Sequence, residues 1–436
     1  MTPLAIGFWG LGGLIVLIAM RVPVGVALGS VALLGIAAIR GPYAAISAVG
    51  NLPYEFVAHW SLSAVPMFLL MGSIAYHTGL TGSLYDAARV WLSRLPGGLA
   101  VATNFASAAF ACVSGSSMAT AAAMGRLAIP EMLKSRYDPG LATAVVAVSG
   151  TLGSLIPPSI LMVIYGIFTE QPINRLLIAG ILPGVLTAVV YAAVIIGRCI
   201  HNPSLAPAID EKVDWRLRLA ALKSVWPTPV LVIFIVGSLY SGLATATEAA
   251  AIGAFAACVI AFAQGRLTWT NFKDSIKETA TSTGTIFFVA IGAILLTRFL
   301  ALSGVPKYLA DAIVAWGLNE TTVLIGASLL YLFLGMFLDP LGLMLVTLPV
   351  LLPLFKSLNM DLIWIGVLVI KYLEIGLLTP PVGLNAYVVS GVVGDKVPLM
   401  TIFRGLLWFI AAEVFIVVIL IKYPQISLFL PDLMVP

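Results

Sequence analysis

Residues 144–166 read AVVAVSGTLGSLIPPSILMVIYG, and residues 372–391 read YLEIGLLTPPVGLNAYVVSG. Both stretches are apolar enough for helices in lipid, and both are interrupted halfway by glycine and a double proline. Proline removes a helical N–H and clashes with the preceding turn, and glycine permits the bend. In a membrane, the freed carbonyls find partners only in protein, water or an ion. The stretches also align. An offset of 223 residues lays Gly153 on Gly376, Leu155 on Leu378, and Pro157-Pro158 on Pro380-Pro381. It also pairs Tyr85 with Tyr308, Pro130 with Pro353 and Asp138 with Asp361. Glycine and proline are placed by backbone geometry, so their common spacing argues for one backbone path used twice.

The surrounding composition is that of a membrane protein. Of 436 residues, 61% are hydrophobic and 10% charged, and the mean hydropathy is +1.08. Soluble domains carry about a quarter charged residues. The apolar runs are long and do not alternate, which favours an all-α polytopic protein over a barrel. Clear spans are expected near 4–20, 22–39, 62–79, 174–200, 225–241, 243–264, 283–302 and 399–422, with a weaker one at 43–60. Segments 83–95 and 305–317 mix Tyr, Trp and charge with apolar residues, as helices in the headgroup plane do. The first 20 residues have no basic start and no small-residue cleavage site, so they read as a retained helix. Loop 201–223 and its flank carry Arg198, Lys212, Arg216, Arg218 and Lys223, which predicts a cytoplasmic location. An odd number of crossings separates 62–79 from its counterpart 283–302, so the two repeats are expected to be inverted.

Each half places a polar turn between two short apolar arms. In the first, arms 98–113 and 118–134 flank Ser114-Gly115-Ser116-Ser117. In the second, arms 320–336 and 341–355 flank GMFLDPLG, residues 335–342. These read as re-entrant hairpins or paired crossings. Hydroxyl, carbonyl and carboxylate oxygens suit hard cations, although small residues and hydroxyls also serve helix packing.

Charges are few. Asp339 at the second turn reads either as a cation ligand or as a helix cap. Arg126 lies about 13 Å along a helix from Ser117; it reads as a contact for an anionic group or as a partner of Glu131. Lys371 and Glu374, three apart, are expected to pair. Glu248 reads as structural, through capping or pairing. Cys112, Cys199 and Cys258 form no CxxC pair and His59, His77 and His201 no HExxH, so no disulfide framework or zinc site is expected. No basic, aromatic-interleaved stripe suggests nucleic acid.

SGSSMATAAAMGRLAIPEM, GTLGSLIPPSI, LATATEAAAIGAF and LLTPPVGLNAYVVSG resemble the large membrane (M) subunit of the tripartite ATP-independent periplasmic (TRAP) transporters, as does RVPVGVALG near the start. One departure is Ala246, where proline is expected. The resemblance implies a sodium-coupled importer of small organic anions, usually carboxylates such as dicarboxylates or sugar and keto acids. It implies the bacterial inner membrane, a periplasmic substrate-binding protein, a small four-helix membrane subunit and no cofactor beyond the coupling ions. No four-helix block precedes RVPVGVALG, so that subunit is expected to be a separate chain. The implied fold is similar to divalent-anion/sodium symporters, with a scaffold and an elevator-type transport domain. Residues 1–61 and 225–282 would be scaffold helices, 201–224 the cytoplasmic loop and 423–436 a tail. The first repeat, 62–200, would carry tip 114–117 and broken helix 138–170. The second, 283–422, would carry tip 335–340 and broken helix 361–393.

By position, the resemblance implies one sodium site of Ser114, Ser117, Gly150, Thr151, Gly153 and Pro157. It implies a second of Gly335, Asp339, Gly376, Thr379 and Pro380. Substrate would contact Ser117, Ser154, Ser159, Thr379 and Asn385, with Arg126 as a further candidate. Two other classes compete. An intramembrane enzyme needs a nucleophile with a base, an Asp pair or a metal motif, and GxSxG and HExxH are absent from the sequence. The permease of an ATP-driven system would need a separate ATPase, since this chain has no P-loop.

Overall fold

The structure, a computed structural model, describes residues 1–207 and 214–434; Lys212 of the polar loop lies outside the described residues. Among the described residues the chain is helical throughout, with no strand. The offset of 223 seen in the sequence extends to the helix boundaries. Ser117–Lys134 and Pro340–Ser357 coincide under it, and Gly98–Ser114 with Glu320–Gly335, and Ile160–Thr169 with Leu384–Val393, agree to within two residues. Asp138 and Asp361 do the same task at equivalent places. Each caps the helix it precedes, accepting from Leu141 N at 2.8 Å and from Ile363 N at 2.8 Å.

The proline-broken helices form the centre. From Ile363 to Leu378 every residue of the Leu362–Leu378 helix is buried, and so is every residue from Gly140 to Gly150. A helix apolar on nearly all sides has no face for water and sits inside; Lys371 and Glu374 are the charged exceptions in the second. The two breaks differ. Pro139–Gly150 gives way to a 3-10 turn, Thr151–Ser154, before the prolines, whereas the second helix runs on to Leu378. Gly150 weakens the first helix where the second has Leu373. The Pro157–Pro158 and Pro380–Pro381 bonds are both cis.

Among the described residues, five helices are long and apolar enough to cross a bilayer, or up to seven if each of two bent pairs is one span. Several expected spans change shape. The span at 283–302 is part of a 35-residue helix, Trp269–Ser303, capped by Thr268. Its first turns carry Lys273, Asp274, Lys277 and Glu278, so hydropathy registers only the apolar end. The weak segment 43–60 and the span 62–79 form one bent pair, Pro42–Val57 with Trp60–His77, turned by 61°. Helices Pro3–Ala19 and Val24–Arg40 match their spans but have 17 residues each. The polar loop is partly helical. Trp215–Ser224 lies against Leu80–Leu92, with Arg218 over the rings of Trp215 and Trp91 at 5.0 and 5.6 Å.

Candidate functional site

The first turn is built by capping. Gly115 ends Gly98–Ser114 with φ +62°, a conformation that costs glycine little. Ser116 then caps Ser117–Lys134, its side chain accepting from Ala119 N. A glycine face of the broken helix meets this turn. A Cβ on Gly153 would lie 2.7 Å from Ser116 O, and one on Gly150 would lie 2.9 Å from Ser117 O. Both glycines are therefore required for the approach. The hydroxyls interlock as well: Ser114 Oγ is 2.7 Å from Thr120 Oγ1, and Ser117 Oγ is 2.7 Å from Ser154 Oγ.

The second turn repeats the plan with different chemistry. Asp339, equivalent to Ser116 under the offset, caps Pro340–Ser357 by accepting from Gly342 N at 2.9 Å. Proline at the first helical position suits the cap. Gly335 and Gly376 touch backbone to backbone, since a Cβ on Gly376 would fall 2.8 Å from Gly335 Cα. Thr379 Oγ1 donates to Ile375 O at 2.7 Å, within its own helix.

Between the turns lies a cavity of about 330 Å³. Ser116, Ser117 and Ser154 line it from one repeat, Asp339, Pro340 and Leu377 from the other, and Thr281, Ser282 and Thr285 from the long helix. Two helix N-termini, at Ser117 and Pro340, therefore border one space. Such ends favour negative charge and offer free N–H groups. Among the described residues no cluster of three or more His, Cys, Asp or Glu gathers. The oxygens available at the cavity are hydroxyls, carbonyls and the Asp339 carboxylate.

Of the expected substrate contacts, Ser117 and Ser154 reach the cavity and three others lie off it. Ser159 donates to Ser154 O at 2.6 Å and caps Ile160–Thr169. Thr379 is satisfied within its helix, and Asn385 donates to Ala147 O at 3.1 Å, tying the second repeat to the first. Arg126 borders an adjoining space of about 410 Å³, with Nη1 donating to Tyr76 OH at 2.5 Å. Glu131 pairs with Arg89 at 2.8 Å and so is not its partner. Glu248 is structural, closing a capping box with Thr245, and Ala246 occupies the first helical position.

The expected Lys371–Glu374 pair does not form. Lys371 Nζ lies 2.5 Å from Glu413 Oε2, and Tyr191 OH donates to Glu413 Oε1. Glu374 turns instead to the first repeat, where Ser117 Oγ donates to Oε1 and Oε2 at 2.8 and 2.9 Å. Residues three apart can face each other on a helix, but here each has a closer partner on a different helix. Glu413 gave no sequence signal because its partner lies 42 positions away. Thr281, Ser282 and Thr285 were also missed, since the first two precede the apolar span and the third lies at its edge.

The family model for the tripartite ATP-independent periplasmic transporter, DctM component, matches residues 11–426. The chain is 35% identical over 383 residues to the C4-dicarboxylate TRAP transporter large permease protein DctM of Pseudomonas aeruginosa, covering 87% of this chain and 88% of that one. It is 31% identical to the sialic acid TRAP transporter large permease protein SiaM of Vibrio cholerae, covering 86% and 87%. Among solved structures it is similar to the Alcanivorax borkumensis YdaH transporter, with TM-score 0.59 and 16% identity over 86% of this chain and 87% of that one.

Proposed function

We propose that this chain, which belongs to the DctM component family of tripartite ATP-independent periplasmic transporters, couples entry of a small organic anion to sodium at the cavity between its two tips. It is a large permease subunit, a multi-pass protein of the inner membrane, and a transporter rather than an enzyme. Its family works with a small membrane subunit and a periplasmic binding protein. Here we take that small subunit to be a separate chain.

The observation that carries this reading is the meeting of both polar turns at one cavity. A carboxylate there would face the N-termini at Ser117 and Pro340. Sodium is assigned to the oxygens where each tip meets its break. The first group is Ser114, Ser117, Gly150, Thr151, Gly153 and Pro157; the second is Gly335, Asp339, Gly376, Thr379 and Pro380. Interrupted helices commonly bind coupling ions this way. The ions would hold each tip against its break, completing the pocket and offsetting the charge of the anion. The repeats would then be inverted, and the loaded domain would move as an elevator against the scaffold. The named relatives carry a C4-dicarboxylate and sialic acid, so a carboxylate is the class proposed here.

Proteoliposomes holding the chain, its small subunit and its binding protein test the reading. We expect a sodium gradient without ATP to drive uptake of the carboxylate. Uptake that persists without sodium and collapses without ATP would overturn it.

A further inference from the structure

Among the described residues, the interior between the repeats holds two carboxylates and one ammonium. Lys371, Glu374 and Glu413 are each 0% exposed. Lys371 is committed to Glu413 at 2.5 Å, and Tyr191 donates to the same carboxylate. Glu374 has the Ser117 hydroxyl, whose single hydrogen is shared between its two oxygens at 2.8 and 2.9 Å. Ser154 Oγ lies 2.7 Å from that hydroxyl. A buried carboxylate with no cation beside it is costly. The N-terminus of Ser117–Lys134 offsets only about half a charge. An ionised Glu374 would put one negative charge in excess at the first tip, on a side chain from the second repeat, and needs a cation to hold it there. Under the offset of 223, Glu374 occupies the place of Thr151. The second repeat thus supplies a carboxylate where the first has a neutral hydroxyl.

We propose that Glu374 is the charged ligand of the first sodium site, reaching across the repeats to the hydroxyls of Ser117 and Ser154. This rests on the sodium coupling proposed above. A shell of serine hydroxyls and carbonyls is neutral, and the Glu374 carboxylate supplies the charge that offsets a sodium ion in a buried site. On ion entry the two hydroxyls turn lone pairs inward and release their hydrogens from the carboxylate, which then faces the ion. Filling the first site thereby grips the broken helix of the second repeat, close to Leu377 at the cavity wall.

The full-length chain, purified in detergent, is heated in sodium chloride and in choline chloride at equal ionic strength. We expect sodium to raise the wild-type melting temperature. Glu374→Gln keeps the shape and removes the charge. It should need about tenfold more sodium for the same half-effect, and should melt in choline no lower than wild type. A Glu374 that serves only as a hydrogen-bonded strut gives the opposite pattern, a lower melting temperature in choline with an unchanged half-effect, and overturns the proposal. If Glu374→Gln does not fold, Glu374→Asp keeps the charge on a shorter stem. An altered preference for sodium over lithium supports the assignment, and an unaltered preference and half-effect overturn it. A wild-type chain indifferent to sodium removes the sodium reading and this inference together. A wild-type response that folded Glu374→Gln retains removes the Glu374 assignment alone.

Discussion

Ser117 touches both its own repeat, through Ser154, and the other, through Glu374. Ser117→Ala leaves a buried carboxylate without its donor, a cost of about 1–3 kcal/mol. We expect a lower melting temperature and a raised sodium requirement for uptake; an unaltered sodium response would remove Ser117 from the site. Asp339 has two separable roles, cap and charge. Asn caps as well as Asp, whereas Ala loses about 1 kcal/mol. Asp339→Asn should therefore fold like wild type yet lose sodium-dependent uptake, while Asp339→Ala adds a modest loss of stability. Uptake with normal sodium dependence in Asp339→Asn would leave Asp339 as a cap only. Lys371 is a third case. Lys371→Met strands Glu413 in the interior and should cost about 3–5 kcal/mol, with much of it recovered in Lys371→Met/Glu413→Leu. Thermal denaturation of both variants checks this.

At the scale of elements, close approach of backbones sets what the helices tolerate. Glycine to alanine ordinarily favours a helix by up to about 1 kcal/mol. Gly376→Ala should reverse that sign, because the new methyl would meet the Gly335 backbone at 2.8 Å. Gly237, in helix Pro227–Tyr240 with open space around it, is the comparison. We expect Gly237→Ala to match or exceed wild-type stability, and Gly376→Ala to lower both melting temperature and uptake. The repeat itself was legible in the sequence. Backbone geometry places Gly153, Gly376, Pro157 and Pro380, so the residues record the path directly. The helix start at Asp339 was legible for a similar local reason, since a cap acts within three residues. The 35-residue helix was not, because its polar turns and apolar turns give different hydropathy signals to one continuous hydrogen-bonded element.

At the scale of the whole molecule, sequence pattern located the two tips but not what they meet. That Ser117 and Asp339 border one cavity depends on packing between repeats, as does the exchange of partners among Lys371, Glu374 and Glu413. Spacing along one helix suggested a pair at 371 and 374, and helices distant in the chain supplied closer partners. Ser159, Thr379 and Asn385 were placed by resemblance near substrate, and in this structure their side chains bond helices instead. The two tips make one joint site if each binds an ion before the anion is held. The most direct test is the initial rate of carboxylate uptake into proteoliposomes as sodium is varied against choline at fixed membrane potential. We expect a sigmoidal rise, one ion from each repeat, that is lost in Asp339→Asn. Full-rate uptake in choline alone would contradict it.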